Sequence, residues 1–238
     1  MNTRRSLAAA LAASFLLAGC ASVEKKALAP ESRSKIKTVA VIAVTEPEKY
    51  FLNPGQATAG AALYLFGAIG GLVLGTIEAA RFESATNEFT AAVKPTNPNV
   101  AQHWNETIVN LLQSRGYEVV QFAQLPKKSD GKELDCTSIA GKADAVLIST
   151  ISTGYVVESK VEPNVFASIR LASSNCSETY FSDGILYSSK PHGKHTHITR
   201  DSKFTFQNRD AIKANPLLAK EAFHTGLTEV AKRATSDL

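Results

Sequence analysis

Catalytic motifs are what this sequence lacks first. It has no Gly-x-Ser-x-Gly elbow to expose a nucleophile, no glycine loop of the kind that cradles phosphate and no His-Glu-x-x-His pair for zinc. Glu46, Glu48 and Asp183 are isolated acids, and Trp104 lies on a helical stripe where it reads as core. The expectation is therefore a protein that is not an enzyme. A large excess of one charge is lacking too: 26 basic residues face 22 acidic ones, for a formal net charge of +4. A field that weak argues against nucleic acid as a main partner. Cysteine is limited to three residues, Cys20, Cys136 and Cys176.

What is present begins with an export signal. Arg4 and Arg5 precede an apolar stretch, Leu7 to Ala18. That stretch is too short for a stable bilayer span, which needs roughly 20 apolar residues. It ends in Leu17-Ala18-Gly19-Cys20, which resembles the lipobox of bacterial lipoproteins. The resemblance implies cleavage before Cys20 and covalent lipid on its thiol. With Ala21 rather than Asp next in line, it also implies the outer membrane, facing the periplasm. Removing residues 1–19 takes Arg4 and Arg5 with it and lowers the net charge to +2. No cofactor other than that lipid is expected. Cys136 and Cys176 form an even pair in an oxidising compartment, open to a disulfide or to two buried thiols.

Residues 20–35 are small and polar and read as a tether, followed by a single domain over 36–238. Val39, Ala40, Val41, Ile42 and Val44 form a nearly unbroken apolar run, the pattern of a strand buried on both faces. Ala145-Val146-Leu147-Ile148 repeats it. Tyr117 to Phe122 is a short strand between them, and a brief helix is expected over Cys136 to Lys142. Val165, Ala167, Ile169 and Leu171 then alternate with Phe166, Ser168 and Arg170, a half-buried antiparallel pattern continued by Ile185 and Tyr187. One helix is expected from an Asn99 cap to about Arg115, with Val100, Trp104, Ile108, Leu111 and Leu112 as its stripe and Gly116 as its stop. Asn215 and Pro216 open a second helix, striped by Ala219, Phe223, Leu227, Val230 and Ala234.

The fold class is thus α/β: a three-layer sandwich whose mixed sheet starts parallel and ends as an antiparallel meander, in the order β-α-β-α-β-β-β-α. This order, with Lys37-Thr38-Val39-Ala40-Val41-Ile42, Ser114-Arg115-Gly116 and Ala143-Asp144-Ala145-Val146-Leu147, resembles the α/β body of the curli-secretion lipoprotein family and the amino-terminal domain of the TolB translocation protein. The resemblance concerns element order and carries little function with it.

After the first strand comes an insertion unlike the rest. Residues 57–77 are almost purely small and apolar, and no charge occurs between Lys49 and Glu78. Gly67, Gly71 and Gly75 are spaced by four, which on a helix lines one face and permits close approach of a second helix. Leu63, Phe66 and Leu74 are among the large residues around them. Three fates are open: burial against the domain, contact with a copy or another envelope protein, or entry into the bilayer. A pore hairpin is disfavoured, because Leu63 to Leu74 lacks strand alternation.

His192, His195 and His197 crowd one loop and could hold zinc or copper, although Lys194 and Arg200 beside them would repel a cation. The leading expectation is a lipid-anchored periplasmic lipoprotein acting by protein–protein contact in an envelope assembly. The alternatives are a small-ligand or metal-binding module built on the His192–His197 loop, and a membrane-inserting export component.

Overall fold

The computed structural model describes residues 24–53, 76–125 and 134–238. The strands are β1 Thr38–Ile42, β2 Phe51–Asn53, β3 Glu118–Phe122, β4 Ala145–Val157, β5 Val161–Ser173, β6 Thr179–Ser188 and β7 Thr196–Thr199. They form one sheet in the order β3-β1-β4-β5-β6-β7, with β2 pairing with β4 as well. β1 runs parallel to β3 and β4, while β4, β5 and β6 are antiparallel to one another, so the expected change from parallel to meander is present. β7 departs from it. Thr196–Thr199 lies parallel to β6, in a stretch expected to be loop.

The helices are α1 Pro30–Arg33, α2 Thr76–Val93, α3 Val100–Ser114, α4 Arg209–Lys213 and α5 Pro216–Ser236. α2, α3 and α5 pack on one face of the sheet. Their Ala85, Phe89, Val93, Trp104, Ile108, Leu112, Phe223, Leu227 and Val230 share one core with Val39, Leu147, Tyr155, Val165, Ile169, Phe181, Ile185 and Tyr187. The stripe expected on α5 is buried throughout. Gly226 lets α5 sit close, because a Cβ there would lie 2.7 Å from Val165 Cγ2 and 3.0 Å from Tyr187 Cδ1. Trp104 is core, and its indole N–H donates to Ser149 Oγ at 2.9 Å.

Two helix starts differ from expectation. Asn99 is left-handed, with φ of 49°, and its side chain makes no capping hydrogen bond. The carboxylate of Glu46 caps α3 instead, accepting from Val100 N at 3.1 Å and Ala101 N at 2.8 Å. Satisfying two orphan N–H groups with an anion at the positive end of a helix is favourable, whatever the distance along the chain. Asn215 does not cap α5; its amide donates back to Ala211 O, and Pro216 alone opens the helix. Gly116 takes the expected stop position, with φ of +90°.

The opposite face of the sheet carries a partial third layer. Leu125, Cys136 and Ile139 pack on Ala40, Ile42, Val146 and Ala172 at one end. Cys136 and Cys176 are joined in a disulfide, with Cα atoms 6.0 Å apart. The segment after Cys136 is a run of turns rather than the expected helix. Its bonds are i to i+3, from Ile139 N to Cys136 O and Lys142 N to Ile139 O. The disulfide pins one end, and Gly141 at φ +77° breaks the other.

Candidate functional site

The residues from Glu24 onward, expected as a free tether, are docked. Lys26 bridges Ser182 on the edge of β6 through both backbone hydrogen bonds, Lys26 N to Ser182 O at 2.8 Å and Ser182 N to Lys26 O at 3.0 Å. Lys25 Nζ lies 3.4 Å from the carboxylate of Asp183 and donates to Thr196 Oγ1 at 2.7 Å. Asp183 is buried, and its Oδ2 also accepts from Thr196 Oγ1 at 2.6 Å. A buried carboxylate is costly without an opposite charge, so Asp183 gives Lys25 a specific place to land. Lys26 Nζ donates to Thr179 O, and Ser182 Oγ to Glu24 O. Leu28 is buried, and Arg33 of α1 donates to Asp237 O at 2.8 Å.

This docked segment walls a cleft of about 560 Å³ on the face of the sheet away from the helices. Its floor follows from strand register, since paired residues point the same way. Ile148 of β4 pairs with Arg170 of β5, Arg170 with Ser182 of β6, and Ser182 with Lys26. One row further along, Thr150 pairs with Ser168. The cleft thus offers an apolar end, a row of hydroxyls and Arg170 between them, with Glu24 the one acid among the lining residues. Arg170 is half-buried and makes no hydrogen bond or ion pair among the described residues.

Cys20, Leu63, Phe66, Gly67, Gly71, Leu74 and Gly75 lie outside the described residues. The two ends that flank the insertion do not. Tyr50 N donates to Thr90 Oγ1 at 3.0 Å, Thr90 Oγ1 donates to Tyr50 O at 3.1 Å, and Leu52 N donates to Thr86 Oγ1 at 3.2 Å. Thr86 and Thr90, four apart on α2, clasp β2 just ahead of residues 54–75. Phe51 and Phe82 meet there beside Val156. Tyr50 stacks on Phe223 at 5.5 Å and donates its hydroxyl to Glu46 at 2.5 Å. Burial, then that hydrogen bond to Glu46, pushes its phenol far above the ordinary range.

The three loop histidines are placed separately. His195 lies edge-on to Phe166, with ring centroids 5.1 Å apart, while His197 Nε2 engages Ser188 O at 3.0 Å. His192 is exposed. Burial and then the nearby His192 hold His195 below its usual range. Among the described residues no group of three or more His, Cys, Asp or Glu is placed to hold a metal ion. No described helix is long and apolar enough to cross a membrane.

The other two histidines form a feature that the sequence reading missed. His103 of α3 and His224 of α5 stack with centroids 4.2 Å apart and planes 3° from parallel. His103 Nε2 lies 3.0 Å from His224 O and 2.9 Å from Thr228 Oγ1, and His224 Nε2 lies 2.6 Å from Pro98 O. Burial, then the neighbouring ring, lowers the pKa of His103. The available signal was position: each histidine adjoins a core aromatic, Trp104 or Phe223.

No family model matches the chain, and no curated protein matches it in sequence. Among solved structures, protein XCC0632 from Xanthomonas campestris superposes with a TM-score of 0.40 at 11% identity, over 90% of this chain and 89% of that one. Lipoprotein GNA1162 from Neisseria meningitidis gives a TM-score of 0.28 at 15% identity, over 66% of this chain and 88% of its own. Neither likeness is close enough to transfer a role.

Proposed function

We propose that this chain is a lipid-anchored envelope protein, held through Cys20 at the periplasmic side of the outer membrane, that works by contact with another protein and not by catalysis. The observation that carries this reading is the clasp between β2 and α2. It fixes the strand that precedes an uncharged stretch, residues 54–75, against α2, beside the buried aromatic cluster of Tyr50, Phe89, Tyr155 and Phe223. An uncharged stretch of small and apolar residues that follows a fixed strand is suited to apolar contact with a partner. Gly67, Gly71 and Gly75 would let a partner helix approach closely.

The test uses full-length chain extracted from membranes in mild detergent. Intact mass reads the lipid on Cys20, and a Cys20→Ala chain is expected to lack it. Wild-type particles are expected to exceed the mass of one chain, 25.4 kDa before processing. Gly71→Leu with Gly75→Leu is expected to reduce them to single chains while the thermal midpoint holds. A wild-type particle of one chain, with no crosslinked species in intact cells, overturns the contact reading. An unmodified Cys20 overturns the anchor.

A further inference from the structure

We infer that the cleft beside the docked amino-terminal segment binds the phosphate of an anionic phospholipid headgroup, with Arg170 as its principal ligand. The inference rests on the lipid anchor proposed above and otherwise stands on the cleft alone.

The first argument is the chemistry of the floor. Ile148, Arg170, Ser182 and Lys26 stand in one row across β4, β5, β6 and the docked segment, and Thr150 and Ser168 stand in the next. Arg170 stands between Ile148 and Ser182 and makes no ion pair among the described residues, with Glu24 the one acid in the lining. The remaining cations are already engaged, Lys25 by Asp183 and Thr196 and Lys26 by Thr179 O. A planar guanidinium presents paired donors that match two oxygens of a phosphate, and hydroxyls from adjacent strands can take a third. Ile148 leaves an apolar end for the glycerol backbone and the start of an acyl chain. The volume of about 560 Å³ suits a headgroup and little more.

The second argument is position. Glu24, in the wall of the cleft, is four residues after Cys20. Four extended residues reach at most about 14 Å. A chain anchored at Cys20 therefore keeps this cleft within about one headgroup layer of the membrane surface, where phospholipid phosphate is the abundant anion. The same geometry disfavours a partner that must approach from the aqueous side.

The experiment uses the lipidated full-length chain in a non-ionic sugar detergent, probed by amide hydrogen exchange. Dihexanoyl phosphatidylglycerol and inorganic phosphate are titrated in separate arms. The lipid is expected to slow exchange over residues 148–150, 168–170 and 179–182, and inorganic phosphate to do so at concentrations at least about tenfold higher. Arg170→Gln is expected to weaken the lipid response about tenfold, and Arg170→Lys by less, because the charge stays and the fork is lost. An unchanged melting curve shows that each variant folds. Equal response to both probes overturns the lipid assignment in favour of free phosphate. No response in those strands, or an Arg170→Gln chain that responds like wild type, overturns the site itself. Intact mass of the same sample reports the anchor separately, so its failure is not confused with failure of the cleft.

Discussion

The two faces of the sheet are written by alternate residues of the same strands and have opposite character. On the helix side, Leu147, Tyr155, Val165, Ile169 and Ile185 are buried under α2, α3 and α5. On the other side, Val146 and Ala172 are covered near the disulfide, and the next residues along β4 and β5 are Ile148, Thr150, Ser168 and Arg170, which line an open cleft. The helix side holds the fold together. The far side is covered at one end around Cys136 and Cys176 and at the other around Phe166 and Leu186, and the cleft lies between them.

That contrast can be broken by unequal losses on the two sides. Phe223→Ala removes a ring in contact with Tyr50, Phe89 and Tyr155. It should cost about 3–5 kcal/mol in denaturant unfolding, whereas Ser168→Ala in the cleft should stay within about 0.5 kcal/mol. Cys136→Ser with Cys176→Ser tests the partial layer. Opening a loop with a sequence separation of 40 should cost about 3–4 kcal/mol on chain-entropy grounds. The cleft strands should then lose exchange protection before the helices do. Glu46→Ala strips two N–H groups at the start of α3 and the partner of the Tyr50 hydroxyl. A loss of about 1–2 kcal/mol is expected, with faster exchange at Val100 and Ala101.

The smallest effect concerns the stacked histidines on the helix side. His103 takes a proton less readily in the folded chain than its ordinary 6.5, because of burial and then His224. The unfolded chain is therefore protonated first as pH falls, so the stability that neutral His103 contributes is complete above 6.5 and is lost progressively below it. The hydrogen bond to His224 O, and then Glu106, act in the opposite sense, toward protonation, and limit the shift. A thermal midpoint that drops between about pH 7.5 and 5.5, and drops less in His103→Gln, is the expected result. Equal slopes for the two chains would remove this pair from the account.

Local pattern was enough to read the main strands and two of the three long helices, α3 and α5, while α2 was not expected. Val39–Ile42 and Ala145–Ile148 announce double burial, which the structure gives except at half-buried Ile148, and Val165 to Leu171 announces one covered face. The stripes of α3 and α5 carry helical spacing in their own residues. What could not be read depends on distant partners. Glu46 caps a helix 54 residues away, Lys25 matters only because Asp183 is buried 158 residues later, and β2, with three residues, is too short to show a period. β7 hid among histidines whose spacing suggested metal chemistry. Arg170 was visible on the outward face of its strand, but that it makes no ion pair among the described residues is a property of three paired strands and not of one.

The pairing of Lys26 with Ser182 has a mechanical consequence. The amino-terminal segment meets β6 through a single antiparallel bridge at the sheet edge. A pull on the segment along the amino-terminal direction would load its few contacts one after another, as in unzipping, instead of shearing several strand hydrogen bonds together. The segment could then yield at low force while β4, β5 and β6 remain paired. Residues 24–27, ahead of the buried Leu28, would contribute up to about 14 Å of slack. The domain would trade closeness to its attachment point for reach without unfolding, and would rewind when Lys25 again met Asp183.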